Sequence, residues 1–196
     1  LQQQLRQQSL LAVIPQKKSL QSPTMKEILE QLGGELLFGG ELLSNQVDAY
    51  ITGAMHLPNF LNHISENVLI ITPGDRGDIL LGALQANLSA NYPKVAGLVL
   101  TGGLIPEPPV LRLIEGSKSV VPVVSVKAGT FGTSTRLGSI HSRMSADNPA
   151  KLQAAIRLLE KHLDMEALNN RILTFVPEGM TPHMFQYQIG QRAKQH

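Results

Sequence analysis

Cysteine is absent from all 196 residues. That excludes a disulfide scaffold, a thiolate nucleophile and any metal site built on sulfur. The absence is compatible with a cytosolic protein, and the expected location is cytoplasmic. Trp is absent too, and aromatic residues reach only 4%. The core must therefore be built from Leu, Ile, Val, Ala and Met. No apolar run reaches the ~18 residues that a membrane-spanning helix needs. The Gln-rich opening, LQQQLRQQ, lacks the basic and apolar regions of a signal peptide. An excess of one charge is lacking as well: 17 Lys and Arg stand against 15 Asp and Glu, a formal net charge of +2. Such a weak field argues for neither nucleic acid nor a membrane as partner.

Catalytic signatures are also missing. There is no G-x-x-x-x-G-K-[ST], no G-x-G-x-x-G after a strand and no G-x-S-x-G elbow. Ser134 and Ser139 precede His141, but no orienting carboxylate completes a nucleophile and base. The six His residues are scattered without ligand spacing, so no metal and no cofactor are expected.

What is present is an alternation of short aliphatic runs and amphipathic stretches. Ser22-Pro23-Thr24 precedes MKEILEQL, with Glu27 three residues after Thr24, the spacing of a capping box. Gly33-Gly34 ends that helix. Strands are predicted at Ala49–Ile51, Val68–Ile71, Ala96–Leu100 and Val120–Val126. Two of them, VLII and AGLVL, are apolar without alternation, the pattern of strands buried on both faces of a parallel sheet. Helices are predicted at Leu57–Ile64, Asp78–Leu88, Pro109–Ile114 and Lys151–Leu163. The fold class that follows is α/β, a doubly wound, mainly parallel sheet flanked by helices. Leu10–Ile14 reads as a short buried strand stopped by Pro15, and Ile172–Val176 as strand-like, before a helix start at Thr181. Residues 1–21 read as the end of a preceding domain and a linker, the alternative being a tail native to this protein.

In an open parallel sheet, ligands bind beyond the carboxyl ends of the strands. Those ends read GAMH, TPGDRGD, TGG and KAGTFGT, rich in small and hydrogen-bonding residues. Free backbone N–H groups at the helix starts that follow favour an anion, although such loops are also simply how strands become helices. Asp75 just before a helix suits an N-cap. Arg76 beside it can pair with Asp75, Asp78, a ligand phosphate or a second subunit. Arg76-Gly77-Asp78 also spells an integrin-binding tripeptide, which has no context in an α/β turn.

These residues resemble the DRTGG domain family, named for its Asp, Arg, Thr, Gly, Gly: Gly74-Asp75-Arg76-x-Asp78 ends one strand and Leu100-Thr101-Gly102-Gly103 the next. MKEILEQLGGELL is similar to that domain's opening helix and strand, and ITGAMHLPNFLNHI to its second strand and helix. Thr130-Phe131-Gly132-Thr133 resembles its loop after the last strand, and NPAKLQAAIRLLEKHLD its closing helix. LLAVIP is similar to the end of a dethiobiotin-synthetase-like P-loop domain. TPHMFQYQI resembles the segment that leads into the catalytic domain of long phosphate acetyltransferases, which interconvert acetyl-CoA plus phosphate with acetyl phosphate plus CoA. The resemblance implies a preceding P-loop-like domain ending within 1–21, a DRTGG domain at 22–165 and a linker at 166–196 towards a catalytic domain. It implies a non-catalytic regulatory and oligomerisation role, as a dimer or higher, and a small anionic metabolite or nucleotide as a possible ligand. The alternative is a metabolite- or nucleotide-sensing module of a stand-alone P-loop plus DRTGG protein. Candidate ligand or interface residues are Asp75, Arg76, Asp78, Thr101, Gly102, Gly103, Thr130 and Thr133; no catalytic residue is expected.

Overall fold

A computed structural model describes residues 12–117, 120–140, 142 and 148–173. Lys17–Lys151 forms one compact unit, and the described residues 12–16 and 152–173 belong to a second.

The first unit opens with a short helix α1 (Lys18–Gln21) and α2 (Met25–Leu32). The capping box forms as predicted: the Glu27 amide donates to Thr24 Oγ1, and the Thr24 amide donates to Glu27 Oε2 at 2.7 Å. At the other end of α2, Gly33 takes φ +61°, where a side chain would be strained. There follow β1 (Glu35–Phe38), a 3₁₀ turn at Gly40–Leu42, β2 (Ala49–Thr52), α3 (Leu57–Leu61), β3 (Val68–Pro73), α4 (Gly77–Leu88), β4 (Val95–Thr101), α5 (Pro108–Glu115), β5 (Val123–Ser125) and α6 (Thr130–Gly138). The five strands make one sheet in the order β1-β5-β4-β3-β2, parallel except for the β1–β5 pair. This is the expected mainly parallel α/β architecture.

Helices cover both faces. Val68 and Ile70 of β3, Leu98 and Leu100 of β4, and Val123 of β5 pack against Phe60 of α3, Ile79, Leu80 and Ala83 of α4, and Ile114 of α5. The intervening residues, Leu69, Ile71, Val99 and Val124, pack against Met25, Ile28 and Leu32 of α2 and Leu137 of α6. Every residue of β4 is buried, which is why that run is apolar without alternation. The register of β3 on β4 slips by one residue at Ala96, between Val68↔Val95 and Leu69↔Gly97. Asn45 Nδ2 satisfies the Ala96 carbonyl at 3.0 Å. Beside it, Gly97 has no room for a side chain, because a Cβ would meet Met25 Cε and the Pro122 carbonyl at 2.7 Å. From β2 to β5 the parallel strands advance in one direction, so no reversal of strand order opens a crevice in their midst.

Three local expectations are corrected. Thr130–Thr133 is the first turn of α6 and not a loop: the Thr133 amide donates to Gly129 O, and Thr133 and Leu137 are buried. Gly132 and the β-branched threonines have poor helix propensity, and burial of one face overrides it. The Leu10–Ile14 strand reduces, among described residues, to a single bridge of Ala12 to Leu163, with Val13 and Ile14 exposed. Ile172 lies in a helix, α8 (Met165–Leu173), whose start is capped by the Asp164 carboxylate on the Ala167 amide at 2.9 Å. Residues 174–176 and the expected helix at Thr181 lie outside the described residues. The helix predicted at Lys151–Leu163 is α7 (Pro149–His162), with Leu152, Ile156 and Leu159 of its apolar stripe exposed.

Candidate functional site

The carboxyl ends of β2, β3, β4 and β5 lie at one end of the sheet. Pro73 of β3 pairs with Thr101 of β4, and the Gly74 amide donates to the Thr101 carbonyl at 3.2 Å. Asp75 and Thr101 are therefore at the same end, as the parallel reading requires.

The turn after β3 differs from expectation. The Arg76 amide donates to Pro73 O at 3.1 Å, closing a turn that moves the helix start one residue on. Arg76, not Asp75, occupies the N-cap position of α4, and its side chain makes no cap hydrogen bond. Asp75 is exposed. The Arg76 guanidinium instead folds over Asp78 as a fork, Nε to Oδ1 at 2.8 Å and Nη2 to Oδ2 at 2.9 Å. Nη2 also donates to the Met55 carbonyl, 21 residues earlier, at 2.9 Å, which ties the end of β2 to the start of α4. The fork holds the Asp78 carboxyl below the usual carboxylate range, and it raises the Arg76 guanidinium further above neutrality. Nη1 has no partner among the described residues. It is the one edge of the guanidinium without a hydrogen bond.

The turn after β4 is held differently. Gly102 and Gly103 take φ +84° and +66°, two successive left-handed residues that only glycine adopts without strain. Their amides donate to Ala128 O and Val126 O, both at 2.9 Å. These two backbone donors are thus spent on joining the ends of β4 and β5. Thr101 and Thr130 bring their hydroxyls to 2.8 Å of each other. Thr101 and Thr133 are buried, and Thr133 Oγ1 donates to Ala128 O at 3.4 Å, so both hold the turn from within. The Asp-Arg motif is an exposed polar fork, and the Thr-Gly-Gly motif is a closed backbone joint.

Two features escaped sequence reasoning. The Met55 carbonyl could not be found, because any residue supplies one. Phe131, at 86% exposure, stands beside Thr130 at the start of α6; reading its segment as a loop hid its place on a helix. Among the described residues no group of three His, Asp or Glu converges on a metal position, and no helix is long and apolar enough to cross a membrane.

The family model described as "DRTGG domain" matches residues 27–140. A phosphate acetyltransferase of Nitratidesulfovibrio vulgaris is 40% identical over 93% of this chain, and one of Synechocystis sp. is 40% identical over 94%. One of Pseudomonas putida is 30% identical over 95%. The chain spans about a quarter of the length of these curated relatives, 26% of the first two and 27% of the third. Among solved structures, the chain is similar to the CBS and DRTGG domains of the regulatory region of Clostridium perfringens pyrophosphatase, complexed with its activator diadenosine tetraphosphate. The TM-score is 0.48 and the identity 18%, over 69% of this chain and 66% of that one.

Proposed function

The chain belongs to the DRTGG domain family, and we propose that it is the non-catalytic regulatory and assembly domain of a cytoplasmic phosphate acetyltransferase. The observation that carries this reading is the 40% identity to phosphate acetyltransferases, which extends over 93% of the chain and so reaches well beyond the matched 27–140. Similarity on the flanks supports a transferase parent over a stand-alone sensing module. The domain division proposed with it is 22–165 for the DRTGG domain, with 1–21 and 166–196 joining it to its neighbours. In the parent, acetyl-CoA and phosphate would give acetyl phosphate and CoA at residues outside this chain. The part of this domain would be to self-associate and to bind a small anionic metabolite at the Asp75–Arg76 surface, with Arg76 Nη1 as its donor.

The test uses the whole transferase that carries this segment, beside the chain alone. The chain alone is expected to form no acetyl phosphate from acetyl-CoA and phosphate. In the whole enzyme, Arg76→Ala is expected to leave basal turnover in place and to blunt its response to nucleotides and other anionic metabolites. Turnover by the pure chain would overturn the non-catalytic assignment. An Arg76→Ala enzyme with the wild-type metabolite response would remove Arg76 from the site.

A further inference from the structure

Lys151 is only 2% exposed, yet it carries a charge. Its ammonium donates to the Ser22 carbonyl at 2.9 Å and to Ser142 Oγ, and it lies 3.9 Å from Glu27 Oε2. Ser142 in turn donates to Glu27 Oε1 at 3.3 Å. The same Glu27 carboxylate closes the capping box with Thr24. One carboxylate thus serves the start of α2 and, directly and through Ser142, a lysine 124 residues further on. Lys151 sits third in α7, with its amide bonded to Asn148 Oδ1 at 3.0 Å. A cation in the first turn of a helix faces the positive end of the macrodipole, so helix formation alone disfavours a lysine there. The position makes sense for what the side chain reaches.

We propose that Lys151 is a clasp that fastens the first turn of α7 to the opening segment of the compact unit, and that the clasp opens without unfolding the sheet. Two states follow from the physics. Closed, the ammonium has two oxygen partners and a nearby carboxylate. Partly open, it would be a buried charge without compensation, which is the costliest arrangement. It is therefore fastened, or it is released to water together with the first turn of α7. Ser22 and Lys151 meet at 2.9 Å, so the entry and exit of the unit lie side by side. Whatever opens the clasp frees the first turn of α7 while leaving the two cores of the sheet in place.

Hydrogen exchange on the full chain tests this. Glu27→Gln keeps the capping box, which glutamine completes as well as glutamate, but removes the charge that Lys151 faces. It is expected to speed exchange in the first turns of α7 by about tenfold or more, while amides of β4 such as Leu98 keep wild-type protection. Lys151→Met is expected to do the same, and adding Glu27→Gln to it is expected to change nothing further. Wild-type exchange in α7 of the Glu27→Gln protein, additive effects of the two substitutions, or equal acceleration across β4 would each overturn the clasp. Should Lys151→Met fail to fold, Glu27→Gln alone decides.

Discussion

Gly74 leaves β3 directly beneath the carbonyl of Leu104, and a Cβ there would run into that backbone group, which has no rotamer by which to move aside. Gly74→Ala is expected to destabilise the chain by about 1–3 kcal/mol, the range for overpacking, read as a shift of the urea midpoint at constant slope. An unchanged midpoint would mean that the turn after β4 gives way. Two residues later the physics is electrostatic. Asp78 titrates below its usual value first because Arg76 donates to it. A depressed carboxylate contributes stability above the ordinary pKa of about 3.9, and loses it as pH falls through the folded value. Arg76 and Asp78 are 30% and 46% exposed, so solvent screening keeps the pair to about 0–1 kcal/mol. Wild type is expected to exceed Asp78→Asn in stability at pH 7 and to match it near pH 2. An equal difference at both values would show that the pair is not the cause.

At the scale of elements, the capping box and the buried strands set the frame. Thr24→Ala removes the hydroxyl that accepts from the Glu27 amide and is expected to cost about 1 kcal/mol in thermal or urea unfolding. Because α2 lays Met25, Ile28 and Leu32 on the sheet, a frayed α2 start should also loosen the contact of Met25 with β4. These elements were legible in the sequence: T-x-x-E before an apolar helix, and apolar runs bounded by Gly and Thr, are local patterns. α6 was not legible in the same way. Its sequence, TFGTSTRLG, is helical because Leu137 and Thr133 are covered by the sheet, and no local pattern announces that cover. The cap at Arg76 escaped for a related reason. Asp75 has the better side chain for it, but the turn closed on Pro73 O fixes where helical geometry begins.

At the scale of the whole molecule, low net charge puts little long-range repulsion between copies. The proposed assembly role leads to a closed symmetric dimer as the simplest form, with an interface of roughly 1,200–2,000 Å². Analytical ultracentrifugation at micromolar concentration is expected to give a dimer or a larger species, and a single monomeric boundary would sink the assembly role. The sequence by itself determined the α/β class, the parallel central strands, the first helix with its cap, and the placing of the Asp-Arg and Thr-Gly-Gly motifs at strand ends. Each of these is written in hydrophobic period, cap spacing or glycine position, which act over a few residues. Only the tertiary structure decided that the Thr-Gly-Gly amides are consumed by Val126 and Ala128, that Arg76 reaches back to the Met55 carbonyl, and that Lys151 is buried against Ser22 and beside Glu27. Those contacts join groups 21 to 129 residues apart. Backbone carbonyls carry no mark in the sequence, and the burial that forces a charge to find its partner exists only once the layers have packed.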